Sequence, residues 1–268
     1  MIVQRRARPS IDCVTVVRGY SERRGEQTGP GVIFPLPGRP AQFLEVYLEQ
    51  PYRVSVDGGS FAPAPDAVLV GPSSRHTTRL WMQGPASTFH IAFQPSGFHR
   101  LFGLNMSGLA DRAAAAIDLD LPPLDDLVAL IRARRSFEAR VSSVETWLRR
   151  RLVDARSPDA MDRAARLLRR ARGAPDVGWA AERAGVSNRH FQRLFVERVG
   201  LSPKLYCRSV RFEAVMDARD AEPRSSWTEL AHRFGYFDQA HLLRDAHAFT
   251  GVSASRFQPQ VQALSDPS

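Results

Sequence analysis

Lysine is all but missing from this chain, and so is cysteine. Arginine supplies almost all of the positive charge behind a formal net charge of +9 over 268 residues. The two cysteines, Cys13 and Cys207, are far apart and neither belongs to a CxxC pair. That excludes a disulfide framework and a cysteine-rich zinc site, and it fits a reduced cytosolic compartment. No apolar run is long enough to span a bilayer. The opening stretch MIVQRRARPSIDCVTVVRGY has early arginines but no apolar core, so no signal peptide is expected. There is no serine elbow, phosphate-binding glycine loop or metalloprotease motif. His76, His90 and His99 are isolated and no HxH pair occurs, so no metal site is read. These absences lead to the expectation of a cytoplasmic protein with no catalytic residues, cofactor, metal or membrane partner.

What is present falls into two halves. Hydrophobic residues make up 43%, ample for a buried core, and the length suits two domains. The basic balance suggests a polyanionic partner, although a genome that favours arginine over lysine would give the same composition. From Pro30 to about Phe93, short apolar runs (GVIFPLPGRP, FLEVYL, YRVSVDGG, AVLVGP, FHIAFQP) are broken by Pro and Gly. This is the pattern of strands with tight turns, and predicts a sandwich or barrel. The aromatics Phe43, Tyr47, Tyr52, Phe61, Trp81 and Phe89 either fill that β core or line an apolar cavity for a small organic effector. No effector-binding residue can be assigned from them. From Phe98 the pattern turns helical. A helix is predicted over Ser136 to Ala155, with Phe137, Val141, Val144, Leu148 and Leu152 as one apolar stripe. Such a stripe packs on its own domain or on a second subunit. DARSPDAMD marks a linker and a new helix start, and the tail QALSDPS is expected to fray.

After Asp159 one pattern occurs twice. In WAAERAGVSNRHFQRLFVERVGLSPKLY and ELAHRFGYFDQAHLLRDAHAFTGVSASRF, Ala181 and Gly185 match Ala231 and Gly235 at an offset of 50. Beyond the turn the offset is 51, pairing His190 with His241, Arg193 with Arg244, Gly200 with Gly251, Ser202 with Ser253 and Tyr206 with Phe257. Helix, glycine turn and helix make a helix-turn-helix signature. The two glycines permit the left-handed backbone that ends the first helix. Ser187 or Asn188 can cap the next helix in copy one, and Asp238 in copy two. Ser226 with Glu229 forms a capping box, and Ser202-Pro203 opens a connecting helix through about Ala218.

The second helix of each copy then has two faces. In copy one Phe191, Leu194, Phe195 and Val199 form the core side, opposite Arg189, Gln192, Arg193 and Val196. Arginine and glutamine reach bidentately to guanine and adenine edges, although the same face could simply be solvated. In copy two Leu242, Ala246 and Phe249 are the core side. Ala240, Leu243, Arg244 and His247 face out, with Gln239 near the helix start. Copy one is therefore expected to read sequence, and copy two to lean on phosphates. The candidate DNA-binding residues are Arg189, Gln192, Arg193, Gln239, Arg244 and His247.

The last hundred or so residues resemble the AraC/XylS family of bacterial transcription regulators. GYFDQAHLLRDAHAFTGVSASRF is similar to that family's C-terminal signature, GF-x-D-Q-S-H-F-x-R-x-F-K-x-x-x-G-x-T-P-x-x-Y. Three departures stand out: Ala246 replaces an aromatic, His247-Ala248 a basic pair, and Ala254 a proline. The first should loosen the packing of the second unit and the second weaken its phosphate grip. The segment HIAFQPSGFHRLFGLNMSGLADRAAAAIDLD resembles, more loosely, the end of the family's N-terminal domain. The resemblance implies an α+β chain. An N-terminal β-rich, cupin-like jelly roll or barrel with trailing helices occupies 1–156 (β-rich 30–93, helical 98–155). It binds an effector, dimerises, or does both. An all-α domain with two helix-turn-helix motifs (about 177–199 and 227–249) joined by a long helix covers 157–260, before a flexible tail at 261–268. On the family's template the two recognition helices enter successive major grooves, roughly 34 Å apart. The implied partners are double-stranded promoter DNA, RNA polymerase, a small-molecule effector and a second copy of the chain. Two rival readings stand beside this one: an enzyme with a helical DNA-binding appendage, and an interaction module whose repeated motif binds protein.

Overall fold

The computed structural model describes residues 2–253. The tail at 261–268, the domain end at Gln260, and the motif positions Ala254 and Phe257 lie outside the described residues. The N-terminal domain is one antiparallel sheet. Its strands are β1 (Ile2–Ala7), β2 (Val17–Leu36), β3 (Gln42–Tyr47), β4 (Arg53–Val56), β5 (Ala62–Pro63), β6 (Ala67–Val70), β7 (Thr78–Phe93) and β8 (Ala113–Ala115). The order is β1-β2-β7-β3-β6-β8, with β4 pairing both β5 and the first half of β7. The long β2–β7 ladder shifts register between Gln27 and Val32. There Gly29 takes a positive φ of 101°, and Gly84 on β7 one of 76°. A bulge of this kind bends a strand and increases its twist. The sheet therefore folds over, bringing Val54 of β4 and Val68 of β6 into one apolar cluster although these strands do not pair.

Strands begin earlier than the Pro30 expected from the breaker pattern. β1 and the first part of β2 carry arginines and glutamates, and this hid them. Glu22, Arg23 and Ser21 are nonetheless buried. Burial of Glu22 is made tolerable by Arg140, 118 residues later, whose Nη1 donates to the carboxylate at 2.7 Å. A buried carboxylate needs such a partner. Likewise β8 lies within the stretch read as helical: Ala113–Ala115 is too short and featureless to declare itself, and it exists because it pairs with Val68–Val70.

The helices trailing the sheet are α1 (Gly97–Phe102), α2 (Pro122–Arg132) and α3 (Phe137–Asp154). Ser136 caps α3 by accepting from the Ala139 N–H. The apolar stripe of α3 packs on its own domain: Phe137, Val144 and Leu148 are buried in one core with Leu44, Val46, Phe89 and Ile91, and Val141 and Leu152 sit at its edge. Each such side chain contributes about 1.5–3 kcal/mol when fully buried.

The C-terminal domain consists of α4 (Ala160–Arg170), α5 (Val177–Arg183), α6 (Asn188–Val199), α7 (Pro203–Ala221), α8 (Trp227–Arg233) and α9 (Gln239–Thr250). It has two cores. Met161, Leu168, Ala180, Phe191 and Phe195 form the first, and Leu230, Leu242, Ala246 and Phe249 belong to the second. Helix α7 serves both, giving Tyr206 and Val210 to one and Phe212, Val215 and Met216 to the other. Ala246 is buried, in a cluster where Phe212 stacks on Phe249 at 5.4 Å.

Candidate nucleic-acid interface

Each helix-turn-helix is built by the local chemistry its sequence specifies. Gly185 and Gly235 have φ of +70° and +71°. Their positive φ suits the chain reversal that a side chain would strain. Ser187 Oγ accepts from the His190 N–H at 3.3 Å, so Ser187, and not Asn188, caps α6. Asp238 accepts from the His241 N–H at 2.6 Å and caps α9. The Ser226–Glu229 capping box is formed in both directions at the start of α8. Ser202 caps α7 with Pro203 in its first turn, and the helix runs to Ala221.

The two second helices, α6 and α9, each bury an apolar side and expose a polar one. On α6, Phe191, Phe195 and Val199 are buried and Leu194 half-buried, while Arg189, Gln192 and Arg193 are exposed. Arg193 leans back on its own helix, with Nη2 against His190 Nδ1 at 3.2 Å and Nη1 3.7 Å from Glu197. On α9, Gln239, Ala240, Arg244 and His247 are exposed and Leu243 half-buried. Gln239 Oε1 accepts from Thr228 Oγ1 at 2.8 Å, which leaves its amide hydrogens facing outward duties. All six candidate side chains thus lie on the exposed sides of α6 and α9. His241, the repeat partner of His190, is half-buried and is not among the six candidates. Its ring packs edge-on against Tyr236, yet it also borders the space between the two units.

Helix α6 is anchored from behind by charge. Asp162 is fully buried and accepts from the Asp159 N–H, from Arg156 and from Arg198 of α6. Arg198 Nη1 also reaches Asp159 at 2.7 Å. Burial alone would raise the Asp159 pKa, but the bond from Arg198, the Asp162 backbone N–H and Arg156 outweigh it and hold the carboxyl at about 2, against an ordinary 3.8. A depressed carboxyl stabilises the fold above its unfolded pKa and loses that contribution as pH falls through the folded value. The gap in melting temperature between the native chain and Asp159→Asn is therefore expected to be full above pH 4 and to close between pH 4 and 2. A gap constant across that range would remove the assignment.

The N-terminal domain touches the C-terminal end of both α6 and α9. Gln42 Nε2 donates to the Val199 carbonyl at 2.9 Å and to Pro95 O at 2.7 Å. The Gly38 N–H donates to the Phe249 carbonyl at 2.6 Å. Gly200 lies so close to Met106 O and Pro72 that a Cβ would approach both within 2.9 Å. Beside these contacts is a cavity of about 260 Å³ inside the folded sheet, bounded by Leu36, Val54, Val68, Val70 and Leu80, with Arg39, Arg75 and Arg112 among its polar residues. Of the six aromatics considered for such a cavity, only Tyr47 lines it. Phe89 belongs to the core on the helix side, and Tyr52 packs edge-on against Tyr47. Buried His90 and half-buried Glu45 form a pair at 3.0 Å. Burial pushes the imidazole pKa down; burial alone would raise Glu45, but the bond and charge of His90 together with Arg23 and Arg39 outweigh it and hold the carboxyl low. His76 and His99 each bond a backbone carbonyl elsewhere.

Two helix-turn-helix units whose second helices expose polar side chains, joined by one helix, define a DNA-binding protein. Residues 180–260 match the family model described as a helix-turn-helix domain. No curated protein matches the chain. Among solved structures, it is similar to ToxT from Vibrio cholerae strain SCE256 bound to an unsaturated fatty acid. That pair shares 8% identity over 91% of this chain and 94% of that one, at a TM-score of 0.50. It is more distantly similar to the AraC-like transcriptional activator CuxR, at 13% identity, 81% and 76% coverage and a TM-score of 0.24. A putative ethanolamine utilization protein from Salmonella typhimurium matches 34% of the chain and 68% of its own, at 12% identity and a TM-score of 0.26. Residues 180–260 thus carry a helix-turn-helix domain, and the chain shares its overall fold with ToxT. Among the described residues, no helix is long and apolar enough to cross a membrane.

Proposed function

We propose that this chain regulates transcription by reading a two-part site in promoter DNA through α6 and α9, under the control of a small molecule held in the sheet cavity. The observation that carries the reading is the shared two-sided character of the two helices. Each buries its apolar side and presents its polar side outward, after a turn built for that purpose. Arg189, Gln192 and Arg193 supply donors for base edges, whereas Gln239, Arg244 and His247 serve phosphates more than bases. No catalytic step belongs to this reading. Control would reach DNA through position. The segments flanking the cavity, Leu36–Arg39 and Gly71–His76, also hold the ends of α6 and α9. A ligand that moves them changes how the two units meet DNA, and with that the contact made with RNA polymerase, in one copy of the chain or in a pair. Aliphatic walls with Arg39, Arg75 and Arg112 among the lining residues, where Glu45 is paired with His90 and Asp111 is bonded by Ser73 and Ser74, suit a small apolar acid, and ToxT has been solved with one.

Selection of bound duplexes from a random library with the full chain tests the DNA reading. The expected result is an enriched motif spread over two successive major grooves. A motif confined to one groove would sink the two-headed reading. Val54→Trp, which fills the cavity, tests control: the protein should keep its thermal transition, lose the stabilisation given by small apolar acids and alter promoter output. Unchanged output with ligand stabilisation abolished would separate the cavity from regulation.

A further inference from the structure

Between the two helix-turn-helix units lies an open cleft of about 730 Å³. Its floor is one face of α7, where Lys204, Cys207, Arg208 and Arg211 follow at the i, i+3, i+4 and i+7 spacing of a single helical stripe. Gln192 of α6 stands on one wall and His241 of α9 on the other. The space is thus bounded by both recognition helices and by a basic surface connecting them.

The basic residues of that floor do different work. Arg208 donates to the buried Asp245 carboxylate at 2.6 and 3.1 Å and lies over the Phe249 ring, so it braces α9. Arg211 donates to the Gly173 carbonyl at 3.1 Å and to the Gly235 carbonyl at 3.4 Å, tying the approach to the first unit to the turn of the second. Burial pushes the Cys207 thiol up to about 11, which keeps it neutral. Asp176, the acidic residue on the cleft, is occupied as the cap of α5, accepting from the Gly178 N–H at 2.6 Å. Lys204 is exposed and makes no hydrogen bond or ion pair among the described residues. It is also the only lysine in the sequence. The arginines, whose forks suit fixed planar bonds, hold the architecture. The ammonium, a flexible point charge with three donors, is left to face outward.

We infer that this cleft seats the sugar-phosphate backbone running between the two grooves entered by α6 and α9, with the Lys204 ammonium on a phosphate. The inference rests on the DNA reading above and adds a third contact surface to it. Two helices bound about one turn apart on one face of a duplex must straddle the minor groove between them and the sugar-phosphate strand that borders it on each side. The surface that meets that strand here is concave and basic, and its acidic neighbours are already engaged.

The full-length chain and two duplexes test it, one carrying the selected motif and one of equal length without it. Treated with an amine-acetylating reagent, Lys204 should be modified readily in the free protein and protected by saturating duplex, read by peptide mass spectrometry without interference from any other lysine side chain. Lys204→Gln should lose affinity several-fold for both duplexes alike, lower the slope of log K against log salt by about 1, and leave the selected motif unchanged. Lys204→Arg should restore most of the affinity. Equal acetylation with and without duplex, or an unchanged salt slope in Lys204→Gln, overturns the cleft assignment while native binding shows that the DNA reading stands. Failure of the native chain to bind any duplex overturns both.

Discussion

Asp162→Ala is expected to destabilise the C-terminal domain by about 3–5 kcal/mol, the range for removing one partner of a buried ion pair. Asp162 is fully buried and holds three donors: the Asp159 N–H, Arg156 and Arg198. Its removal leaves the Arg198 guanidinium, itself 11% exposed, with only the half-exposed Asp159 for charge compensation. It also breaks one half of the capping box that starts α4. Because Arg198 keeps its 2.7 Å contact with Asp159, the loss should fall toward the lower end of the range. Denaturant unfolding of the native chain and the variant measures it. A loss below about 1 kcal/mol, the value of an exposed pair, would show that this network does not hold α6. The same variant should bind DNA less well even where it remains folded, since Arg198 ties the reading helix to the domain behind it.

The second large effect concerns the division between α6 and α9. Arg193→Ala should cost roughly 1–3 kcal/mol at the selected site and relax preference at one base pair. Arg244→Ala should weaken binding more evenly across sequences. The reasoning is chemical. Around Arg193 the α6 surface offers two further donors, Arg189 and Gln192, that match base edges. Around Arg244 the α9 surface offers Ala240 and Leu243, which can touch a thymine methyl but donate nothing. Competition binding with the selected duplex and single-base variants checks both. If each change weakened every sequence equally, base reading would not belong to α6.

Much of the C-terminal half was legible from local chemistry. A glycine that must take positive φ, a serine or aspartate with a free N–H three residues on, and an apolar face at helical spacing are properties of a few neighbouring residues. Gly185, Gly235, Ser226 with Glu229, and Asp238 behave as those neighbours demand. The repeat made the pattern visible because two copies carry the same local solution. The faces of α6 and α9 followed from spacing alone.

Other features depended on residues far apart in the chain. GYSERRGE carries four charged residues in eight, yet its first five residues are buried strand, where Arg140 compensates Glu22. The cavity is bounded mainly by aliphatic residues from two parts of one sheet, β4 with β7 on one side and β6 with β8 on the other, a consequence of how the sheet folds at Gly29 and Gly84 and not of any run of aromatics. The contacts of Gln42 with Val199 and of Gly38 with Phe249 join segments with no mutual signal in sequence. Lys204 shows the distinction most plainly. Its rarity is written in the composition, but only the packing of α7 under two helix-turn-helix units places it in the gap between them. Sequence by itself determined the turns, the caps and which helix faces are apolar, since these are set within a few residues. Tertiary structure decided which charges are buried, which are braced and which remain to meet a partner, since the energy of a charge depends on everything that surrounds it.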